Sequence, residues 1–219
     1  ALFGGPGEDS LDASQGDGGF LDGGTGNDTI VGGTGDDVLD GGEHGPDAGT
    51  GDDLLDAGAG DDLLRGGLGA DTLLGGTGND VIDHLGRTGE RETVEHREFA
   101  WHIDGEADLL EGGQGDDTLI FDGADSAHGG AGQDLFWLYS DGGVAEIADF
   151  RVGEDFLRVS LNPHIGENDE PDVAIELSED GEDGYVIVNG DLVAILRGAP
   201  DVTVSDIYAE VQPDVFPAG

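Results

Sequence analysis

The sequence GGTGNDTIVGGTGDDVLD, from Gly23 to Asp40, contains one nine-residue pattern twice in succession. The pattern is Gly-Gly-x-Gly-x-Asp-x-apolar-x. Its clear copies begin at Gly4, Gly23, Gly32, Ala48, Ala57, Gly66, Gly75, Gly112 and Gly129, and a looser copy begins at Ile103. Because a fixed short period is typical of stacked structural units, the chain is expected to form a solenoid.

Two positions of the pattern hardly vary. The sixth is acidic: Asp9, Asp28, Asp37, Asp53, Asp62, Asp71, Asp80, Asp108, Asp117 and Asp134. The eighth is apolar: Leu11, Ile30, Leu39, Leu55, Leu64, Leu73, Ile82, Leu110, Leu119 and Phe136. The glycine-rich half of each copy can turn tightly, and its last three residues favour a short strand. Two copies then make one coil, and stacked coils form two parallel sheets around a core of eighth-position side chains.

The composition restricts the partners that the chain can bind. It has 51 acidic and 7 basic residues, all of the latter Arg, and a formal net charge of -44. We expect no nucleic acid or anionic membrane partner, because phosphate binding requires clustered cations. The chain has no Cys, hence no disulfide or thiolate metal site, and no apolar run of the roughly 18 residues that span a membrane. The expected counter-charges are hard metal cations, and the remaining charge should keep the protein monomeric.

Stacking places the repeated aspartates above one another. Neighbouring strands lie about 4.8 Å apart, and two carboxylates at that distance repel by about 0.9 kcal/mol in water or about 3.5 kcal/mol at an effective dielectric of ~20. Summed over all copies, this exceeds a typical domain stability of roughly 5–15 kcal/mol. A cation must therefore lie between the carboxylates. Ca²⁺ fits because it takes about 6–8 oxygen ligands, whereas Mg²⁺ retains water and Zn²⁺ prefers nitrogen and sulfur.

Successive carbonyl groups of an extended turn point in opposite directions. Odd positions of a turn can therefore serve one ion and even positions the next, and position five often adds an oxygen-bearing side chain. We expect about eight to ten Ca²⁺ ions, which would offset about 16–20 charges. The predicted ligands are Asp9, Gly23, Gly24, Thr25, Gly26, Asn27, Asp28, Gly32, Gly33, Thr34, Gly35, Asp36, Asp37, Asp47, Thr50, Gly51, Asp52, Asp53, Gly60, Asp61, Asp62, Gly69, Asp71, Gly75, Gly76, Thr77, Gly78, Asn79, Asp80, Asp108, Gly112, Gly113, Gly115, Asp116, Asp117, Asp125, Gly130, Gly132 and Asp134.

Full copies such as GGTGNDTIV (Gly23–Val31) and GGQGDDTLI (Gly112–Ile120) resemble the nonapeptide of the RTX (repeats-in-toxin) family, over about residues 4–137. The resemblance implies an all-β, calcium-binding parallel β-roll. The segment AEIADFRVGEDFLRVS (Ala145–Ser160) resembles the part that caps the roll in serralysin-type C-terminal domains. Together they imply a secreted bacterial protein, exported through a type I secretion apparatus, that folds outside the cell on meeting Ca²⁺. The ending DVFPAG (Asp214–Gly219) departs from the acidic and apolar ending typical of the family.

Three copies are irregular. Residues 13–22 have Gly18 at the sixth position and one residue too many, so we expect a weak or absent ion there. Residues 41–47 keep a turn but lack the strand, and residues 121–128 are one residue short. Because two copies form a coil, copy i pairs with copy i+2. The predicted ladders are Asp9, Asp28, Asp47, Asp62 and Asp80 in one and Asp37, Asp53 and Asp71 in the other, followed by Asp108 with Asp125 and Asp117 with Asp134.

Residues 84–102 contain no nonapeptide, but they hold three of the seven Arg and three of the six His residues. One interpretation is a transition-metal or ligand site built from His84, His96 and His102. The other, which we favour, is a surface helix or flap whose Arg residues pair with the acidic roll and whose aromatic residues cover an edge.

After Asp141 the sequence alternates as strands do, over residues 144–150, 155–160, 172–177, 185–188 and 192–196. The Asn-Gly pair within YVIVNGDLVAIL (Tyr185–Leu196) indicates a β-hairpin, and residues 204–210 are expected to form a short helix. We interpret this half as an antiparallel cap over the open end of the roll. Asp149 and Asp155 either bind a further Ca²⁺ or fix a turn.

The predicted organisation is a first RTX block at 1–83, an insertion at 84–102, a second RTX block at 103–140 and a C-terminal β cap at 141–219. The sequence lacks His-Glu-x-x-His, Gly-x-Ser-x-Gly, a Cys nucleophile and a phosphate loop with Lys, so we expect no enzyme. The favoured function is a calcium-driven folding and secretion module. The alternatives are a calcium-dependent extracellular module that binds polysaccharide or a cell surface through the insertion or Trp101, Trp137 and Tyr139, and an accessory domain of a larger secreted enzyme. An unrecognised acidic hydrolase or epimerase is least favoured.

Overall fold

The structure is a computed structural model that describes residues 1–42, 51–84, 105–140, 143–161 and 171–211. Its strands are β1 (Leu2–Pro6), β2 (Ser10–Asp12), β3 (Phe20–Thr25), β4 (Thr29–Thr34), β5 (Val38–Gly42), β6 (Leu54–Ala59), β7 (Leu63–Arg65), β8 (Thr72–Thr77), β9 (Val81–Asp83), β10 (Leu109–Gln114), β11 (Thr118–Asp122), β12 (Ser126–Ala131), β13 (Leu135–Ser140), β14 (Ala145–Ile147), β15 (Phe156–Leu161), β16 (Val173–Leu177), β17 (Gly184–Val188), β18 (Asp191–Leu196) and β19 (Ile207–Val211). Within these ranges the only helical element is a 3-10 turn at Val204–Asp206, and no helix has the length and apolar character needed to cross a bilayer.

The chain winds into coils, each of which adds one strand to each of two sheets. One sheet has the order β1-β3-β5-β7-β9-β11-β13-β15-β19, and the other has the order β16-β17-β18-β14-β12-β10-β8-β6-β4-β2. From β1 to β15 every pairing is parallel, as between Leu21 of β3 and Leu39 of β5. This alternation, two strands per coil, is the predicted parallel β-roll of an all-β protein.

The core is one row of apolar side chains from each sheet. The predicted eighth-position residues Leu11, Ile30, Leu39, Leu55, Leu64, Leu73, Ile82, Leu110, Leu119 and Phe136 are all buried, which confirms their assignment. Leu21, Ala127, Ile147 and Leu157 continue the same two rows. A row of single side chains is a thin core for so many glycine-rich turn residues, so other interactions must contribute to holding the turns.

The roll continues across the insertion. Strand β8 pairs directly with β10, with Leu73 opposite Leu110, and β9 pairs with β11, with Ile82 opposite Leu119. The two repeat blocks therefore share both sheets.

The C-terminal part extends both sheets. Strands β14, β15 and β19 continue them in parallel, whereas only β16, β17 and β18 pair antiparallel. The antiparallel cap is thus smaller than predicted, because residues 145–161 form one further parallel coil. The predicted hairpin is present at Asn189 and Gly190, whose φ values of 55° and 93° suit a tight two-residue turn.

The prediction of a helix at residues 204–210 was wrong. Only Val204–Asp206 are helical, as a single 3-10 turn, and Ile207–Val211 form β19. Strand β19 pairs with β15, and Ile207, opposite Leu157, is buried in the core row. Sheet hydrogen bonds and burial here outweigh the weak preference of the segment for helix.

Candidate calcium sites between the turns

The position-six aspartates form two carboxylate ladders, one along each edge of the roll. In each ladder the Oδ1 atom of one aspartate accepts a hydrogen bond from the backbone N–H of the preceding one, as from Asp80 to Asp117 at 2.8 Å. The first ladder is Asp9, Asp28, Asp53, Asp71, Asp108 and Asp125. The second is Asp37, Asp62, Asp80, Asp117, Asp134 and Asp155.

The predicted pairing was wrong at the irregular copies. Asp28 is followed by Asp53 and Asp37 by Asp62, each at a separation of 25 residues, rather than through a rung at Asp47. Strand β5 ends at Gly42, the next described strand is β6, and β6 pairs directly with β4. Gly41 lies beside Asp53 Oδ2. Asp47 and Thr50 fall outside the described residues.

The other predicted pairs are present. They are Asp9 with Asp28, Asp53 with Asp71, Asp62 with Asp80, Asp108 with Asp125, and Asp117 with Asp134. In the degenerate copy at 13–22, the residue in register with Asp37 is Gly19 rather than Gly18, since Gly19 O accepts from Val38 N at 2.9 Å. The second ladder therefore has no carboxylate before Asp37.

The second carboxylate oxygen points into the space between successive turns. In Asp9, Asp62, Asp80 and Asp117, this Oδ2 atom is buried and has no hydrogen-bond partner among the described residues. A backbone carbonyl of the next turn converges on it. Asp117 Oδ2 and Gly129 O both lie 2.5 Å from the point where a Cβ on Gly112 would sit, so the glycine leaves this space open.

We call this pair of converging oxygens a cradle. A carboxylate Oδ2 and the first-position carbonyl of the next turn meet in the same way beside seven residues: Gly4, Gly23, Gly32, Gly41, Gly66, Gly75 and Gly112. Further carbonyls face the same spaces from the opposite side, since Gly113 O and Gly115 O point towards Gly130 and Gly132 of the following turn. First-position carbonyls thus face backwards and second- and fourth-position carbonyls face forwards, in the alternation expected from the sequence.

The remaining predicted turn ligands lie along these rows. Second or fourth positions are held by Gly24, Gly26, Gly33, Gly35, Gly51, Gly60, Gly69, Gly76, Gly78, Gly113, Gly115, Gly130 and Gly132. The third-position residues Thr25, Thr34 and Thr77 are exposed, as is Asn27. These four can contribute only from the outer rim of a turn.

Position five has a role that the sequence did not reveal. Asp36 Oδ1 accepts from Asp61 N, Asp61 Oδ1 from Asn79 N and Asn79 Oδ1 from Asp116 N, at 2.8–3.1 Å. Asp116 and Asp52 do the same for the turns that follow them. These exposed side chains join neighbouring turns by hydrogen bonds. The recurrence of Asp or Asn there was the available signal.

The electrostatics of the second ladder oppose ionisation. Burial raises the pKa of Asp80 to about 7 and that of Asp117 to about 6, and neighbouring carboxylates add to both shifts. Burial also raises the pKa of Asp62, Asp134 and Asp155. These groups gain from any cation that enters the space between the turns.

The first ladder contains a histidine near its C-terminal end. His84 Nδ1 lies 3.1 Å from Asp108 Oδ2 and 3.3 Å from Asp125 Oδ2, with all three side chains fully buried. Burial alone would lower the pKa of His84, but the hydrogen bond to Asp108 and the charge of Asp125 raise it to about 10. Burial also raises the pKa of Asp125 to about 7, so the two carboxyl groups favour an imidazolium at His84.

The same histidine also begins a turn. His84 O accepts from Gly67 N at 2.9 Å and converges with Asp71 Oδ2 beside Gly66, where a first-position carbonyl is required. His84 O thus takes the place of a first-position carbonyl. Ile103, where the looser copy begins, lies outside the described residues. The three side-chain donors of His84, Asp108 and Asp125 lie within 4.8 Å of one another, a set that a transition metal can also use. His96 and His102 lie outside the described residues.

Asp149 and Asp155 bind backbone N–H groups. Asp149 accepts from Gly129 N at 2.9 Å and Gly130 N at 2.8 Å, and Asp155 accepts from Asp134 N at 3.1 Å and Arg151 N at 2.7 Å. Of the two alternatives raised for this pair, the hydrogen bonds favour the fixing of a turn.

The aromatic side chains of β13 pack against neighbouring side chains. The Trp137 and Tyr139 rings stack with centroids 5.5 Å apart, and the Arg158 guanidinium lies 4.0 Å from the Trp137 ring centroid. Tyr139 is buried. These rings pack where the roll meets the cap and do not form an open platform. Trp101 falls in a part that the structure does not describe.

Two parallel sheets, joined by glycine-rich turns whose aspartates face the spaces between coils, define a parallel β-roll. Four segments match the model of the RTX calcium-binding nonapeptide repeat, at residues 16–43, 47–82, 103–136 and 122–141. These matched segments are thus similar to RTX calcium-binding repeats. The matched segments end before Ala145–Ser160, so the resemblance of that segment to a serralysin-type cap stays a prediction.

A solved structure is also similar. It is the solution structure of the AlgE6R3 subunit from the Azotobacter vinelandii mannuronan C5-epimerase, at 21% identity and a TM-score of 0.36, covering 74% of this chain and 81% of that one. No curated protein matches the chain significantly.

Proposed function

We propose that this chain is a secreted calcium-binding module that is unfolded without Ca²⁺ and folds when the ion enters the spaces between its turns. The supporting observation is the buried Oδ2 atom of Asp9, Asp62, Asp80 and Asp117, which has no hydrogen-bond partner within the described ranges. A buried carboxylate without a counter-charge is costly. When bound, Ca²⁺ would supply that charge.

The chain's own residues provide an all-oxygen donor set. Each site would combine the Oδ2 atom and the second- and fourth-position carbonyls of one turn with the first-position carbonyl of the next. The seven cradles and the Asp62 carboxylate give eight proposed sites, at the lower end of the expected range. Ca²⁺ suits this set because it accepts many carboxylate and carbonyl oxygens in flexible geometry.

Modest affinity at each site would be sufficient. Extracellular calcium sites commonly have dissociation constants of roughly 10⁻⁴–10⁻³ M, and every ion that binds only the folded chain adds to its stability. Several such sites make folding depend steeply on Ca²⁺, so the chain would remain extended in the low-calcium interior of a cell. That state suits passage through a type I secretion apparatus, which we propose as its partner. We further propose that the folded module is monomeric and has no catalytic activity of its own.

Far-UV circular dichroism of chelator-treated protein tests the proposal, with a Ca²⁺ titration and a parallel Mg²⁺ titration as the control. We expect a steep gain of β signal with Ca²⁺ only. A β signal that is already complete in chelator and unchanged by Ca²⁺ would refute calcium-driven folding.

A further inference from the structure

The row of second-position carbonyls in the second ladder ends at an arginine. Gly113 O points towards Gly130 of the next turn, but Gly130 O accepts a hydrogen bond from Nη2 of Arg151. The same Nη2 atom lies 3.6 Å from Asp134 Oδ2, and Arg151 Nε lies 3.9 Å from Asp155 Oδ2. One guanidinium therefore contacts a forward-facing carbonyl and two ladder carboxylates.

The turn that carries Arg151 takes the place of another nonapeptide turn. Asp155 Oδ1 accepts from Asp134 N, as every ladder aspartate does from the one before it. However, the nearest atoms to a Cβ on Gly129 belong to Asp134 and Phe136, where the seven cradles have a first-position carbonyl. No first-position carbonyl is among these nearest atoms, and the last space of this ladder contains a side-chain cation.

The last space needs a positive charge as the preceding spaces do, because its carboxylates are also buried. The side chains of Asp134 and Asp155 are 0% and 1% exposed, whereas that of Arg151 is 36% exposed and reaches them from the surface. A guanidinium is always charged and donates several N–H bonds to oxygen, so it can bind the acceptors that would otherwise coordinate a metal.

We propose that the Arg151 guanidinium replaces Ca²⁺ in the last space of the second ladder, so that this end of the roll is closed without metal. The inference rests on the proposed function, since it assumes that Ca²⁺ fills the preceding spaces. It implies that restoring glycine at position 151, the residue at the second position of the other turns, opens one more metal site.

The experiment compares wild type, Arg151→Gly and the control Arg197→Gly in full-length chains. Arg197 also pairs with two acids, Glu146 and Asp183, but lies on the surface of the cap. Bound Ca²⁺ per chain is measured by equilibrium dialysis at saturation, with circular dichroism to confirm folding. We expect Arg151→Gly to bind one more ion per chain than wild type, and Arg197→Gly to bind the wild-type number.

A second pair of variants covers the case in which Arg151→Gly does not fold. Arg151→Gln keeps N–H donors but removes the charge, so its Ca²⁺ midpoint for folding should rise at least about threefold above that of Arg197→Gln, because the buried Asp134 and Asp155 lose their charged partner. Equal midpoints for the two Gln variants, or a folded Arg151→Gly that binds no additional ion, would overturn the role of Arg151. A wild-type chain that neither binds Ca²⁺ nor folds with it would instead refute the proposed function.

Discussion

Replacing Asp117 by Asn should have opposite effects with and without calcium. Asp117 is 1% exposed, and its Oδ1 accepts from Asp80 N while its Oδ2 faces the cradle beside Gly112. Asn keeps the Oδ1 acceptor and places an amide N–H₂ towards Gly129 O in place of the charged oxygen. The substitution therefore removes the charge without removing the ladder hydrogen bond.

The magnitude follows from the shifted ionisation of this group. The pKa of Asp117 is raised from 3.8 to about 6, mainly by burial. At neutral pH the ionised carboxylate then disfavours the metal-free fold by at most about 3 kcal/mol, or roughly a hundredfold in the folded-to-unfolded ratio. Asp117→Asn should recover much of that free energy. In calcium it should lose one ion, because an amide N–H₂ cannot coordinate a cation.

Asp116→Asn is the matched control. It lies in the same turn and removes the same charge, but its side chain is exposed and accepts from Gln133 N, a role that Asn79 already performs in the preceding coil. In chelator, the concentration of trimethylamine oxide needed to fold each chain is measured, since such osmolytes favour burial. Asp117→Asn should need less than Asp116→Asn, and should bind one Ca²⁺ fewer at saturation. If the two variants fold at equal osmolyte concentration and bind equal numbers of ions, the buried carboxylate is not the barrier to metal-free folding.

Three further outcomes are expected. The folded-state pKa values of Asp80 and Asp117, about 7 and about 6, lie above their ordinary value of 3.8. The stability of the metal-free chain is therefore greatest below about pH 4 and falls as the pH rises through 6 to 7. Circular dichroism in chelator should show more β signal at about pH 4.5 than at about pH 8, and the reverse order would contradict the assignment. Gly113→Ala should destabilise the calcium-loaded roll more than Gly190→Ala, because both have positive φ (115° and 93°) but only at Gly113 would the Cβ collide with a backbone carbonyl; equal thermal midpoints would refute this. Asp61→Ala should lower stability by about 1 kcal/mol in urea titrations at saturating Ca²⁺, since Asn79 N loses its acceptor, whereas Asp61→Asn should not.

The regular coils could be predicted from the sequence because each repeated position holds one kind of residue with one structural role. An Asp before a short strand and an apolar residue two positions later recur without exception from Asp62 to Ile82, and both sheets follow from that period. The stacking partners could not be read in the same way. Whether Asp28 meets Asp47 or Asp53 depends on whether the irregular copy at 41–47 completes half a coil. This decides which ladder Asp53 and Asp62 join, whereas the later pairs keep their predicted partners.

Two further features could not be predicted from the sequence, for a different reason. They are the hydrogen bonds between position-five side chains and the next turn, and the contacts of His84 and Arg151 with the last carboxylates of the ladders. Asp61 and Asp62 are adjacent and chemically identical, yet one is exposed and accepts from the next turn while the other is buried and faces the interior of the stack. Only the local direction of the backbone separates these roles. Likewise, His84 and Asp108 are 24 residues apart in sequence, and only the stacking of the coils brings them into contact.

The carboxylates at the C-terminal end of the roll differ from those of the earlier coils in the cations that neutralise them. At the C-terminal end, His84 lies between Asp108 and Asp125, and Arg151 contacts Asp134 and Asp155, so protein cations meet the last carboxylates of both ladders. The core there also widens, with large aromatic side chains added to the aliphatic row. The earlier coils have single aliphatic side chains and carboxylates that face carbonyls. In a stack where each coil contacts only its neighbours, the coils that need metal least lie beside the cap. The proposed calcium-dependent folding would then start at the cap end, because each earlier coil would bind its ion only against a coil that is already in place.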